Sequence, residues 1–181
     1  MANNLGRDNW LTAARLALLR GGVEAVRVEK LARTLHVTKG SFYWHFKDRD
    51  SLLEILLQEW EGEVAEMMSR LRGGSARERL RAFVEMAVER ARLSEEGQVP
   101  SDAAIFAWAS VSSSVARRVN RAERERIRLL TQLVRQSDRV QVLYLAWLGF
   151  VSRGQRVPAV RKQFPRIART MLELFLPAEG V

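Results

Sequence analysis

The sequence has no cysteine, and only two histidines, two tyrosines and four prolines in 181 residues. Without cysteine there is no disulfide, no thiolate zinc site and no thiol nucleophile. His36 and His45 are too few for a structural metal site, so neither a metal nor a cofactor is expected. Long apolar runs are also lacking. The longest, Val142 to Val151, is about half of what spans a bilayer. Asp8 and Arg15 interrupt the N-terminal stretch, and no small-residue cleavage site follows, so a signal peptide is not expected. These absences point to a soluble cytoplasmic chain with no membrane partner. Catalytic groupings are missing too. There is no nucleophile–base–orienter set and no glycine-rich phosphate loop. Ser41 and His45 lie four apart, yet no third group orients the histidine. An enzyme is not expected.

What is present is positive charge and apolar bulk. Lys and Arg number 30 against 21 Asp and Glu, a net charge of +9. Residues 1–50 hold nine basic and five acidic side chains, so the excess is not confined to that end. Net basicity favours a polyanionic partner. The length allows one large or two small domains, and 47% hydrophobic residues are ample for a packed core.

The most informative stretch is 28–47, VEKLARTLHVTKGSFYWHFK. A first short helix is predicted from Val28 to Leu35, with Leu31, Ala32 and Leu35 on one face. Arg27 at its N-cap offers no acceptor, which leaves Glu29 to complement the helix dipole. A second begins after Thr38, whose hydroxyl can cap it. Phe42 and Phe46, four apart, share its inner face. Lys39, Gly40, Tyr43 and Trp44 point outward. Two helices joined by a tight turn, the second showing such a face, make the helix-turn-helix plan.

TKGSFYWHFKDRDSLL resembles the recognition helix and the following helix start of the TetR (tetracycline-repressor-like) family, and the resemblance extends over about residues 8–60. It departs from that family at Arg27, where Thr or Ser is usual, and at His36, where the turn commonly carries a glycine at positive φ. The resemblance implies an all-α protein. A three-helix DNA-binding domain, 1–50, would precede a helical ligand-binding and dimerisation domain, 51–181. It implies a homodimeric regulator, a repressor in most of the family, that binds a palindromic double-stranded operator and is released by a small ligand. Lys39, Gly40, Tyr43 and Trp44 would lie towards the groove, Lys39 donating to guanine and Gly40 allowing close approach. Ser41, His45, Lys47 and Arg49 would meet phosphate.

The rest of the chain reads as helices. Asp8 is expected to cap one over 9–20, closed by Gly21-Gly22. A long one runs from Asp48 to about Leu71, and others cover 76–93, 102–110 and 113–135, the last with its charged middle on solvent. Residues 138–152 are apolar nearly all round, which demands burial on every face. A final apolar pattern from Val160 ends at Pro177. Leu143, Trp147, Phe164, Ile167, Met171 and Phe175 are therefore expected to pair with their copies in a four-helix dimer interface. Phe83, Phe106, Trp108, Tyr144 and Trp147 are candidates to line a site for an apolar or aromatic effector. Aromatics at helical spacing also serve as plain core, so a DNA-binding dimer without a pocket fits equally. Exposed Tyr43 and Trp44 would also suit an interaction protein that uses the same face.

Overall fold

The computed structural model describes residues 6–71, 73–134 and 137–175. The described residues contain helices and no strand: α1 Arg7–Gly21, α2 Val28–Thr34, α3 Lys39–Tyr43, α4 Arg49–Ser69, α5 Ala76–Glu95, α6 Asp102–Ala109, α7 Ser113–Val134, α8 Ser137–Arg156, α9 Pro158–Arg161 and α10 Phe164–Phe175. A single 3-10 turn, Val23–Ala25, joins α1 to α2.

Local chemistry explains most of these ends. α1 starts two residues earlier than expected. Gly6 is its N-cap, with no side-chain cap, and Asp8 lies inside the first turn, where its charge still suits the dipole. α2 ends in a Schellman arrangement, Val37 N–H bonding Ala32 O at 3.0 Å and His36 N–H bonding Arg33 O at 3.2 Å. His36 holds the left-handed position at φ 55°, alone among the described non-glycine residues. A histidine there costs roughly 1 kcal/mol that a glycine would not. Thr38 is the N-cap residue of α3, but its side chain makes no cap bond, contrary to the sequence expectation. α4 opens on a reciprocal cap: Ser51 N–H donates to Asp48 Oδ1 at 2.7 Å, and Asp48 N–H to Ser51 Oγ at 3.1 Å. Ser75 and Glu78 repeat the device at the start of α5. Pro165 is harmless because α10 begins at Phe164, which puts the proline in the first turn.

The chain forms two compact units that are not contiguous in sequence. The first comprises Met1–Glu63 and Ala91–Ala116, the second Val64–Arg90 and Arg117–Val181. The boundary expected at residue 50 coincides with the first turn of α4. The compact unit instead keeps α4 to Glu63, because Leu52, Leu53, Leu56, Leu57 and Trp60 are buried.

In the first unit these side chains join Trp10, Leu11, Ala14, Leu18, Val26, Leu31, Phe42 and Phe46 in the core. Arg15 of α1 ties the unit together. Its Nε and Nη2 donate to the two oxygens of Glu59 at 2.9 and 2.7 Å, and its Nη1 donates to Gly97 O at 3.2 Å. Gly97 has φ +74°, and a Cβ there would stand 2.8 Å from Leu16 Cγ, so only glycine brings this loop against α1. Trp60 Nε1 donates to Asp102 Oδ1 at 2.6 Å, fastening α6 to α4.

The second unit is centred on Leu71, Leu80, Leu130 and Val140, with Met68, Phe83, Met86, Ile127 and Leu172 packed around them. Two expectations change here. Arg126, in the charged middle of α7, is buried instead of solvated. α8 is not buried on every face. Val140, Leu143 and Tyr144 face inward, whereas Val142 and Leu145 are 57% and 65% exposed.

Candidate nucleic-acid interface

The side chains of α3 divide as their spacing requires. Phe42 and Phe46 are buried, their rings stacked with centroids 5.1 Å apart. Trp10 of α1 meets Phe42 edge-on at 5.3 Å, and Arg7 lies over the Phe46 ring at 5.5 Å. α3 ends at Tyr43, earlier than the sequence suggests, so Phe46 lies past it; Lys39, Gly40 and Tyr43 on the helix and Trp44 at its C-cap are all exposed. Trp44 is 87% exposed, more than any other large hydrophobic side chain among the described residues. Lys47 is exposed as well, and Ser41 and His45 are half-buried beside it. A short surface helix that shows water a tryptophan, a tyrosine and a lysine bears a cost in exposed apolar area that a groove would remove.

Two of the expected cations are engaged within the chain. Lys39 Nζ donates to Glu29 Oε1 at 2.5 Å, joining α3 to the first turn of α2. This bond holds the Glu29 carboxyl below its usual range and the Lys39 ammonium above its own. The Glu29 contribution is present above the ordinary carboxylate pKa and is lost as pH falls through the lowered value. The Lys39 contribution is present below the ordinary lysine pKa and is lost as pH rises through the raised one. The pair is intact across neutral pH. Glu29 therefore does more than complement the α2 dipole. Its partner is ten residues away, and no local spacing signals such a pair.

Arg49, expected to meet phosphate, also makes bonds within the chain. Its Nε donates to Val26 O and its Nη2 to Val23 O, both at 2.7 Å, while Nη1 lies 3.8 Å from Asp50 Oδ1. The guanidinium thus staples the start of α4 to the segment that leads into α2. Hydrogen bonds from a charged group are worth about 1.5–3 kcal/mol. Arg49→Ala is accordingly expected to lower the thermal midpoint by several degrees, with loss of duplex binding following from the loosened turn. An unchanged melting curve with weakened binding would return Arg49 to the phosphate role.

The candidate effector residues fall in both units. Phe106 lies in the first, edge-on to Trp60 at 6.2 Å, and Trp108 is half-buried on the same helix. Phe83, Tyr144 and Trp147 lie in the second. Phe83 packs on the Leu71–Leu80 cluster, Tyr144 Oη donates to Glu123 Oε1 at 2.7 Å, and Trp147 rests 5.0 Å from Phe164. Of the candidate dimer residues, Leu143 and Phe164 are buried inside the chain, while Trp147, Ile167 and Met171 are half-buried. The side chain of Phe175 lies outside the described residues. Among the described side chains of these helices, the large apolar ones that remain exposed are Val142 and Leu145 of α8 and Leu174 of α10.

Residues 11–56 match the family model of bacterial regulatory proteins of the tetR family. The fatty acid degradation regulator FadR from Bacillus halodurans is similar with a TM-score of 0.65 at 16% identity, over 95% of this chain and 96% of that one. A TetR-family transcriptional regulator from Streptomyces coelicolor gives 0.66 at 17%, over 93% and 89%. The transcriptional regulator FadR from Bacillus subtilis, solved in complex with stearoyl-CoA, gives 0.61 at 13%, over 97% and 100%. At such identities the likeness is one of fold. The chain thus has the TetR fold, helical throughout its described residues, and its helix-turn-helix segment is similar to that of the bacterial regulatory proteins of the tetR family.

Proposed function

We propose that this chain is a cytoplasmic, homodimeric transcriptional repressor that reads a two-fold symmetric operator with α3. The observation that carries the reading is the division of this segment: Phe42 and Phe46 fasten it to α1, and Lys39, Tyr43 and Trp44 are exposed. A dimer presents two such helices about one axis, so its half-sites are spaced in helical turns. Lys39 contacts a guanine edge. Tyr43 and Trp44 meet phosphate through O–H and N–H or pack on thymine methyls. Lys47, Ser41 and His45 add backbone contacts that position without specifying. Val142, Leu145 and Leu174 extend the pairing surface first ascribed to Trp147, Ile167 and Met171.

The second unit binds a small apolar or aromatic effector whose preference for one conformation shifts DNA affinity. Stearoyl-CoA, seen with the Bacillus subtilis relative, belongs among the first compounds to test, since a long acyl chain is an apolar ligand. A dimer without an effector site is the second reading. It is favoured by the packing of Phe83 into the Leu71–Leu80 cluster. A panel of apolar compounds that neither raises the thermal midpoint nor alters duplex binding would select it.

The test of the function is selection of random duplexes by the purified protein. A palindromic winner with a steep salt dependence is expected, and Lys39→Ala should relax preference at one base pair per half-site. Enrichment of no duplex, or of one lacking symmetry, would overturn the reading.

A further inference from the structure

Glu29 stands next to the recognition helix and has no part in the function as proposed so far. It sits in the first turn of α2. Lys39 is the first residue of α3 and the cation assigned to a base edge. The two side chains meet at 2.5 Å although both are exposed, Lys39 by 50% and Glu29 by 57%. The lysine stem has four methylene groups and the glutamate stem two, so Lys39 has more positions open to it, and the contact with Glu29 selects one of them. Arg27 and Tyr43 are the other charged or titratable groups that act on the pair.

We propose that Glu29 is a specificity-determining residue, whose carboxylate withholds Lys39 from phosphates of arbitrary DNA and yields it only to a base edge offering acceptors in exchange. The inference rests on the DNA-binding reading of α3. On a non-matching duplex the pair is neutral as a unit and displaces no counterion. An uncommitted lysine would instead neutralise a phosphate and steepen the salt dependence by about 0.9 in slope. Guanine O6 and N7 can replace the carboxylate oxygens, because both accept from an ammonium. Adenine N7 and thymine O4 each offer a single acceptor, and the amino groups of cytosine and adenine only donate, so the exchange is most favourable at guanine. Specificity is a difference of affinities, and a built-in competitor lowers the affinity for the wrong sites more than for the right one.

The test uses the full chain with Glu29→Gln, which keeps the side-chain size and removes the charge. Binding is measured across a potassium chloride series on two duplexes of equal length, the operator selected by the wild-type protein and a random sequence. The random duplex should bind roughly threefold tighter or more, with a salt slope steeper by about one. The operator should gain less, so the ratio of the two affinities falls. In a Lys39→Met background the same substitution should leave that ratio unchanged. Equal gains on both duplexes, or an equal fall in the ratio without Lys39, would show that Glu29 acts only through net charge and would overturn the proposal. A wild-type protein that selects no duplex removes the DNA-binding reading and this proposal with it. A selected operator with an unchanged ratio in Glu29→Gln removes this proposal alone.

Discussion

Phe42→Ala is expected to destabilise the protein by about 3–5 kcal/mol and to abolish operator binding. Phe42 is fully buried, and its ring touches three others, Trp10 at 5.3 Å, Tyr43 at 5.3 Å and Phe46 at 5.1 Å. Truncation to alanine removes the apolar contacts and leaves a cavity that Trp10, itself fully buried, is too constrained to fill. Domains are stable by only about 5–15 kcal/mol, so this is a large share of the total. The thermal midpoint, followed by the helical signal, should fall by roughly 10 °C. Phe42→Leu should recover much of the loss, because it refills most of the volume. A midpoint within a degree or two of wild type in Phe42→Ala would show that α3 is not held by this side chain.

Leu145→Glu is expected to convert a dimer into a folded monomer and to weaken operator binding by roughly a hundredfold or more. Val142 and Leu145 are three apart on α8 and both face outward, while Val140, Leu143 and Tyr144 of the same helix hold it to its own chain. Gly149, one turn further along, has open space where a Cβ would stand. A glutamate in a self-complementary apolar contact meets its own copy, so both the desolvation and the like-charge repulsion count against pairing. Two recognition helices on one particle gain about 10²–10⁴ over either alone, and that gain disappears with the dimer. Mass by light scattering and the operator affinity should change together, with the helical signal retained. A Leu145→Glu protein of unchanged mass would move the interface to another face, and a monomeric wild type would remove it.

Most expectations that held rest on local physics, although the local caps expected of Thr38 and Asp8 do not form. Phe42 and Phe46 are four apart and fall inside, and Tyr43 and Trp44 therefore fall outside. The turn position where the family commonly has glycine is held by His36 at positive φ, as the departure from the family pattern implied. Asp48 does begin the long helix, through a reciprocal bond with Ser51. The matching cap at Ser75 and Glu78 is not among those expectations, although its Ser-x-x-Glu pattern stands in the sequence.

What the sequence by itself determined about this protein is its helices, their inner faces and the plan of the helix-turn-helix. Periodicity, caps and turns act within about four residues, and so they are written in the order of the chain. Only the tertiary structure decided where the long charged side chains go and which apolar faces stay bare. Arg49 reaches carbonyls 23 and 26 residues back, Lys39 a carboxylate ten residues back, and Arg15 a carbonyl 82 residues ahead. A flexible cation takes the acceptor that folding brings near, and no spacing rule names it in advance. The sequence likewise marks α8 as apolar nearly all round, but which of its faces other helices cover is decided by tertiary packing, which buries Val140, Leu143 and Tyr144 and leaves Val142 and Leu145 exposed.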